Sequence, residues 1–259
     1  MPYVTLPLLT LVLVAVRVIG RRAPRKGSDV HQTEKSDAKG GNGAELVAQV
    51  SMKQLDITET NVAVRELIEV TENPRHRYLL EAYDRHRNLE HAGRFEEIFA
   101  PEMTVEHPVY RFNLLGQPPM MLEGRDQVEP LYRFWAETNQ SIFYNESETV
   151  AVGDWMVVST MVGYQQTLGS ALLAAGVEAD EDAMYLLKGR VAMIWPYDER
   201  GRLVGENVWE YDEGEHDLIK LDPEDVMSTE RAAELLDPLI RPLAPFDDSL
   251  LPTSSGLRA

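Results

Sequence analysis

Apolar positions between Tyr78 and Gly93 recur with the period of a helix. Leu79, Ala82, Tyr83 and His86 fall at i, i+3, i+4 and i+7, one stripe of an amphipathic helix. Asn73-Pro74 ahead of it is an N-cap followed by proline at the first helical position. Gly93 supplies the stop. A short second helix carries Phe95, Ile98 and Phe99 and ends near Pro101. Met103 to His107 alternates in the manner of a strand, closed by Pro108. A third helix follows Gly124-Arg125-Asp126, its stripe being Val128, Leu131, Tyr132 and Trp135.

Beyond that helix the period shortens to two. Long strands are expected over 141–152, 155–166, 185–195 and 202–211, with Gly153-Asp154 as a tight hairpin and Asp198 to Gly201 as a turn. Residues 167–184 make a longer connection with a small helical piece near Ala171–Ala175; its length is that of a lid or an interface element. Residues 228–240 read as one more helix before a proline-rich tail, which would cap the cavity mouth or pack across a dimer. Helices first and an antiparallel meander afterwards predict an α+β fold. Three N-terminal helices pack in a curved antiparallel sheet, with a C-terminal helix added. The domain is expected over 73–217, with 52–72 as a lead-in and 218–259 as helix and tail.

The first 51 residues are a different kind of sequence. They hold seven Lys/Arg against four Asp/Glu, so the rest of the chain carries a net charge of −21 out of a total of −18. Tyr3 to Ile19 is nearly all apolar, and its cleanest run, Leu6 to Val16, is shorter than the roughly 20 residues of a spanning helix. Its arginines follow it, the reverse of a secretory signal. Residues 24–44 are rich in Gly, Ser, Lys and Asp, the composition of a disordered segment. Two readings stand: an extension upstream of a start at Met52, or a membrane anchor formed by residues 1–20. The first is preferred, and a cytoplasmic protein is expected.

Composition narrows the chemistry. The acidity leaves no basic patch to neutralise phosphates, so no nucleic-acid partner is expected. With no cysteine there are no disulfides, thiolate nucleophiles or cysteine-ligated metals. The six histidines show no metal-site spacing, although His86 and His91 lie near each other. Phosphate-binding glycine loops and nucleophile elbows are missing too. No cofactor and no metal are expected.

Several segments, in this order, resemble the NTF2-like superfamily, in particular its SnoaL-like and ketosteroid-isomerase-like branch. Tyr78 to Tyr83 and His91 to Pro108 are similar to the opening helices and first strand. Leu122 to Val128 is similar to the Gly-Arg start of the third helix. Val191 to Leu203 with Asn207 to Asp212 is similar to the final hairpin. The resemblance covers roughly half of the chain and implies a cone with an apolar cavity. It implies a fold that hosts isomerases, cyclases, dehydratases, epoxide hydrolases and binding proteins, so function has to come from the site.

Placed on that cone, three residues are catalytic candidates. His107 shares strand parity with Met103 and Val105 and stands where the isomerases hold their aspartate base; an imidazole transfers protons near neutral pH. Otherwise it is a core histidine bonded to a carbonyl. Arg190 falls where they hold an oxyanion-binding aspartic acid and would stabilise the same charge, unless it points outward into solvent. His86 falls near their oxyanion tyrosine, with Tyr83 one turn earlier on the stripe; both are otherwise packing residues. In the last strand Asn207, Trp209 and Tyr211 are read as facing inward, and Glu206 and Glu210 as solvated. Tyr83, Tyr110, Trp135, Tyr144, Asn207 and Trp209 are the expected substrate-binding residues.

Two functions of different class follow. One is a cofactor-independent acid/base enzyme, an isomerase, cyclase, dehydratase or epoxide hydrolase, acting on a small hydrophobic polycyclic, terpenoid or polyketide-like substrate. The other is a non-catalytic ligand-binding or dimerisation module. A homodimer is expected in either case.

Overall fold

The computed structural model describes residues 55–114, 119–211 and 216–252. The apolar stretch from Tyr3 to Ile19 and everything else before residue 55 lie outside the described residues. Among the described residues no helix is long and apolar enough to cross a membrane.

The helices are α1 (Val62–Val70), α2 (Pro74–His91), α3 (Phe95–Ile98), α4 (Arg125–Glu137), α5 (Gly169–Ala174) and α6 (Thr229–Leu236). The strands are β1 (Val109–Asn113), β2 (Met120–Glu123), β3 (Phe143–Gly153), β4 (Met156–Leu168), β5 (Met184–Pro196), β6 (Asn207–Tyr211) and β7 (Asp217–Lys220). Asn73 caps α2, accepting from the amides of Arg75 and His76, with Pro74 in its first turn. Gly93 ends the segment at φ +67°, a conformation that glycine adopts without a Cβ penalty.

The strands form one curved sheet in the order β2-β1-β6-β5-β4-β3, with β7 also paired to β5. One pairing departs from the antiparallel sheet expected: β1 runs parallel to β6, with Arg111 opposite Asn207 and Phe112 opposite Val208. Gly205 allows this close approach, because a Cβ there would collide with the Val109 carbonyl. The strand expected over 103–107 is reduced to a single bridge between Thr104 and Leu203. The chain bends at 106–107, and pairing resumes only after Pro108, which has no N–H to give.

The main core lies between α2 and the concave sheet. Leu79, Leu80, Tyr83 and Leu89 of α2 meet Tyr110, Phe112, Val157, Met161 and Trp195. Each such side chain contributes about 1.5–3 kcal/mol on full burial. A second cluster joins Ile142, Tyr144, Tyr164 and Leu186 to Ala232 and Leu236 of α6. The C-terminal tail docks on the same chain, with Leu243, Phe246 and Leu250 packed on the main core. Arg75 clamps it there: its buried guanidinium donates to the carbonyls of Asp154, Asp198, Glu199 and Leu250 at 2.7–2.9 Å.

Candidate functional site

Helix α2 is buried along most of its length although its sequence is polar. Asp84, His86, Arg87, Asn88 and His91 are all buried with it. Burying so many polar groups is costly unless each is partnered or used, so their partners define the site.

Arg87, Glu90 and His91, on the last turns of α2, line a cavity of about 90 Å³. Trp135, Gln140 and Ser141 close one side, and Phe143 and Gln165 another. Val191, Met193 and Trp195 of β5, with Glu206, Val208 and Glu210 of the β6 segment, form the sheet wall.

A bulge shapes this wall. Phe143 pairs with Gln165, the register shifts between Asn145 and Ser147, and Glu148 then pairs with Met161. Side chains alternate along a strand, so Phe143 and Glu148 would face opposite ways without the extra residue. With it, both face inward, and Glu148 meets Arg87 Nη1 at 2.7 Å. Asn145 Nδ2 holds the bulge by donating to the Thr60 carbonyl.

His91 is oriented by a turn. Asn139, at φ +59°, ends α4 and delivers the Ser141 carbonyl to His91 Nδ1 at 2.8 Å. A carbonyl only accepts, so Nδ1 carries the proton and Nε2 keeps a lone pair. That Nε2 is buried and has no hydrogen-bond partner. Burial, reinforced by the charge of Arg87 and opposed by the Ser141 bond, depresses the His91 pKa to about 4, so the ring is neutral at neutral pH.

Of the three glutamates on the cavity wall, Glu90 and Glu206 are strongly perturbed. Burial pushes half-buried Glu90 up to about 7, with Arg87 opposing. Burial, and then the charge of Glu90, push Glu206 well above the usual carboxylate range. Tyr132 Oη donates to Glu206 Oε1 at 2.8 Å. His86 Nε2 lies 3.3 Å from the same oxygen and 3.4 Å from Tyr132 Oη. Burial depresses His86 to about 3, so this approach joins two neutral groups and is not an ion pair. The Tyr110 hydroxyl is buried beside Tyr132 and Glu206 without a well-aligned bond to either.

The residues singled out in the sequence are scattered over this geometry. His86 sits in the network behind the cavity wall, its ring 4.5 Å from that of Trp195. Tyr83 is buried beside it, its hydroxyl 3.0 Å from Ser159 Oγ. Trp135 lines the cavity; Tyr110 is buried and does not. Tyr144 belongs to the second cluster. His107 is exposed in the bend before β1 and does not line the cavity, because the strand that would have aimed it inward is not formed.

Arg190 alternates with inward-facing Val191. It lines a separate, larger depression of about 580 Å³ with Lys188, Glu146 and Asp217. The inward face expected for β6 is reversed: Glu206 and Val208 are buried, whereas Trp209 and Tyr211 are 39% and 37% exposed. Asn207 shares that outer face and donates to the Ile194 carbonyl. The 167–184 connection contributes no residue to the cavity.

Arg87, Glu90, Tyr132 and Glu206 were not singled out as site residues. Glu90 lies one further turn along the stripe that runs through His86, and following the stripe to its end would have found it. Among the described residues no group of three or more His, Asp or Glu is arranged to hold a metal ion.

What the fold and site define is an α+β chain whose concave sheet lines a small, carboxyl-rich cavity. No family model matches the sequence, and no curated protein matches it. Among solved structures, the chain is similar to an NTF2-like protein from Anabaena variabilis at 15% identity and a TM-score of 0.35. That likeness covers 56% of this chain and 96% of the other.

Proposed function

We propose that the protein is an NTF2-like acid/base enzyme that moves a proton on a small substrate held in the cavity. The observation that carries this reading is the convergence of Arg87, Glu90, His91 and Glu206 on one cavity. Glu90 is the proton-transfer group, because a carboxyl titrating near neutrality both takes and returns a proton efficiently. His91 Nε2 is a neutral acceptor that orients a substrate hydroxyl or water. Glu206, kept protonated and held by Tyr132 and His86, donates to developing negative charge. The resemblance to the isomerase-like branch supports isomerisation, dehydration, cyclisation or epoxide opening as the reaction class.

The substrate reading narrows with the volume. About 90 Å³ is well below the roughly 300–1,000 Å³ of pockets for drug-sized ligands. A small molecule therefore fits in place of the polycyclic one expected from the resemblance. The test is turnover of a panel of small enones, hydroxy acids and epoxides by wild type, Glu90→Gln and His91→Asn. Conversion that Glu90→Gln abolishes supports the reading; conversion equal in all three proteins overturns it.

A second reading, dimerisation through the sheet, is favoured by one observation. Trp209 and Tyr211 stand exposed on the outer face opposite Ala192 and Arg190. A homodimer through this face is compatible with the enzyme reading, and on its own it would make the chain an assembly module.

A further inference from the structure

The turn at residues 58–61, just ahead of α1, is held from three sides. Arg65 Nη2 donates to the Thr58 carbonyl at 2.8 Å, and Asn145 Nδ2, from the β3 bulge, donates to the Thr60 carbonyl at 3.0 Å. Asn61 Nδ2 donates to the Asp84 carbonyl at 3.1 Å and to Asp84 Oδ1 at 2.9 Å, which ties the turn to α2. Each of these three side chains leaves a second polar atom buried and without a hydrogen-bond partner: Arg65 Nη1, Asn145 Oδ1 and Asn61 Oδ1. Asn61 as a whole is 0% exposed. Leaving such atoms unmet is costly.

The amide orientations are forced. A carbonyl only accepts, so Nδ2 must be the atom that meets the Asp84 carbonyl in one case and the Thr60 carbonyl in the other. Turning either amide over would set two acceptors against each other. Both Oδ1 atoms therefore want a donor, and Arg65 Nη1 wants an acceptor. The three side chains surround one short stretch of chain. Asn61 and Arg65 are one helical turn apart, the Arg65 amide donating to the Asn61 carbonyl at 3.0 Å, and Asn145 grips the residue next to Asn61.

What answers these atoms must donate to two of them and accept from the third. An anion has no proton for either Oδ1 and would lie near Asp84 and near Glu148, whose Oε2 is 3.4 Å from Asn145 Nδ2. A cation offers Arg65 Nη1 no acceptor and is repelled by it. Water donates twice and accepts as well, and a buried water typically makes about three hydrogen bonds. Because the three atoms are shut off from bulk solvent, the molecule that meets them is enclosed in the fold and is not part of the hydration layer.

We propose that one buried water is bound between Asn61, Asn145 and Arg65, donating to both Oδ1 atoms and accepting from Arg65 Nη1. Its place gives it a task. It joins the segment ahead of α2 to the β3 bulge that turns Glu148 inward, so the turn at 58–61 is built into the same unit as the cavity wall. The site stands apart from whatever chemistry the cavity performs.

A crystal structure of the full chain, at a resolution that shows ordered solvent, is the first test. It should show a water within hydrogen-bond distance of all three atoms. A direct bond from Arg65 Nη1 to either Oδ1 with no water between them, or a peak that refines as an ion, overturns the proposal. In solution, oxygen-17 relaxation dispersion counts the waters held for longer than the protein takes to tumble. Asn145→Leu removes one acceptor and fills its space with methyl groups, so the amplitude should fall by that of one molecule. An unchanged amplitude in the folded variant overturns the proposal; should the variant not fold, the wild-type crystal structure decides.

Discussion

Arg87 Nη1 and Glu148 Oε1 meet at 2.7 Å with side chains only 4% and 2% exposed, and the β3 bulge is what brings Glu148 inside. Removing one member of such a pair leaves the other charged and buried, which typically costs about 3–5 kcal/mol. Glu148→Ala should therefore lose about that much stability in chemical denaturation. The double variant Arg87→Met/Glu148→Met should lose clearly less, and equal losses would show that the pair is not coupled.

The carboxyl of Glu206 gives a pH signature with a definite sign. Its folded pKa is raised, with burial the main cause, so above the ordinary carboxylate range the unfolded chain releases a proton that the folded chain keeps. Wild-type stability then falls as pH rises from about 4.5 toward the folded pKa, by up to about 1.4 kcal/mol per pH unit from this group. Gln at this position does not titrate. The stability of Glu206→Gln relative to wild type should rise between about pH 5 and 8, and a flat difference across that range would mean that Glu206 ionises normally.

Arg75 donates to four carbonyls, three in turns of the sheet and one, that of Leu250, in the tail. Each bond to a charged donor is worth about 1.5–3 kcal/mol. Arg75→Ala should destabilise the fold by at least about 3 kcal/mol on that scale, with amide exchange around Leu250 accelerated before that of α2. Unchanged protection at 246–251 would show that the tail is held by its apolar contacts alone.

The outer sheet face makes a prediction of a different kind. If Trp209 and Tyr211 are covered by a second copy, wild type sediments as a dimer and Trp209→Glu as a monomer. A wild-type monomer at working concentrations removes the dimer from the account.

The parts of the fold that were legible are those where local chemistry and burial agree. Asn73-Pro74, the Leu79–His86 stripe and Gly93 mark α2 because capping, periodicity and the stop coincide. The site was less legible because it violates the pattern. On β6 the aromatic residues Trp209 and Tyr211 look like core and the glutamates like surface, yet Glu206 is buried and the aromatics are exposed. Hydrophobicity alone picks the wrong face when the interior is polar and the outer face is open. Glu148 depends on a bulge between Asn145 and Ser147 that has no glycine to announce it. His107 depended on a strand that the Pro108 break leaves unformed.

Carboxyl titration of ¹³C-glutamate-labelled protein, with Glu90→Gln to assign the resonance, decides whether Glu90 is poised to carry protons in this cavity. A proton carrier at Glu90 requires a carboxyl with a midpoint near 7 that vanishes in Glu90→Gln, while Glu206 stays protonated beyond the ordinary carboxylate range. A Glu90 midpoint at about 4.5, the ordinary glutamate value, would contradict it.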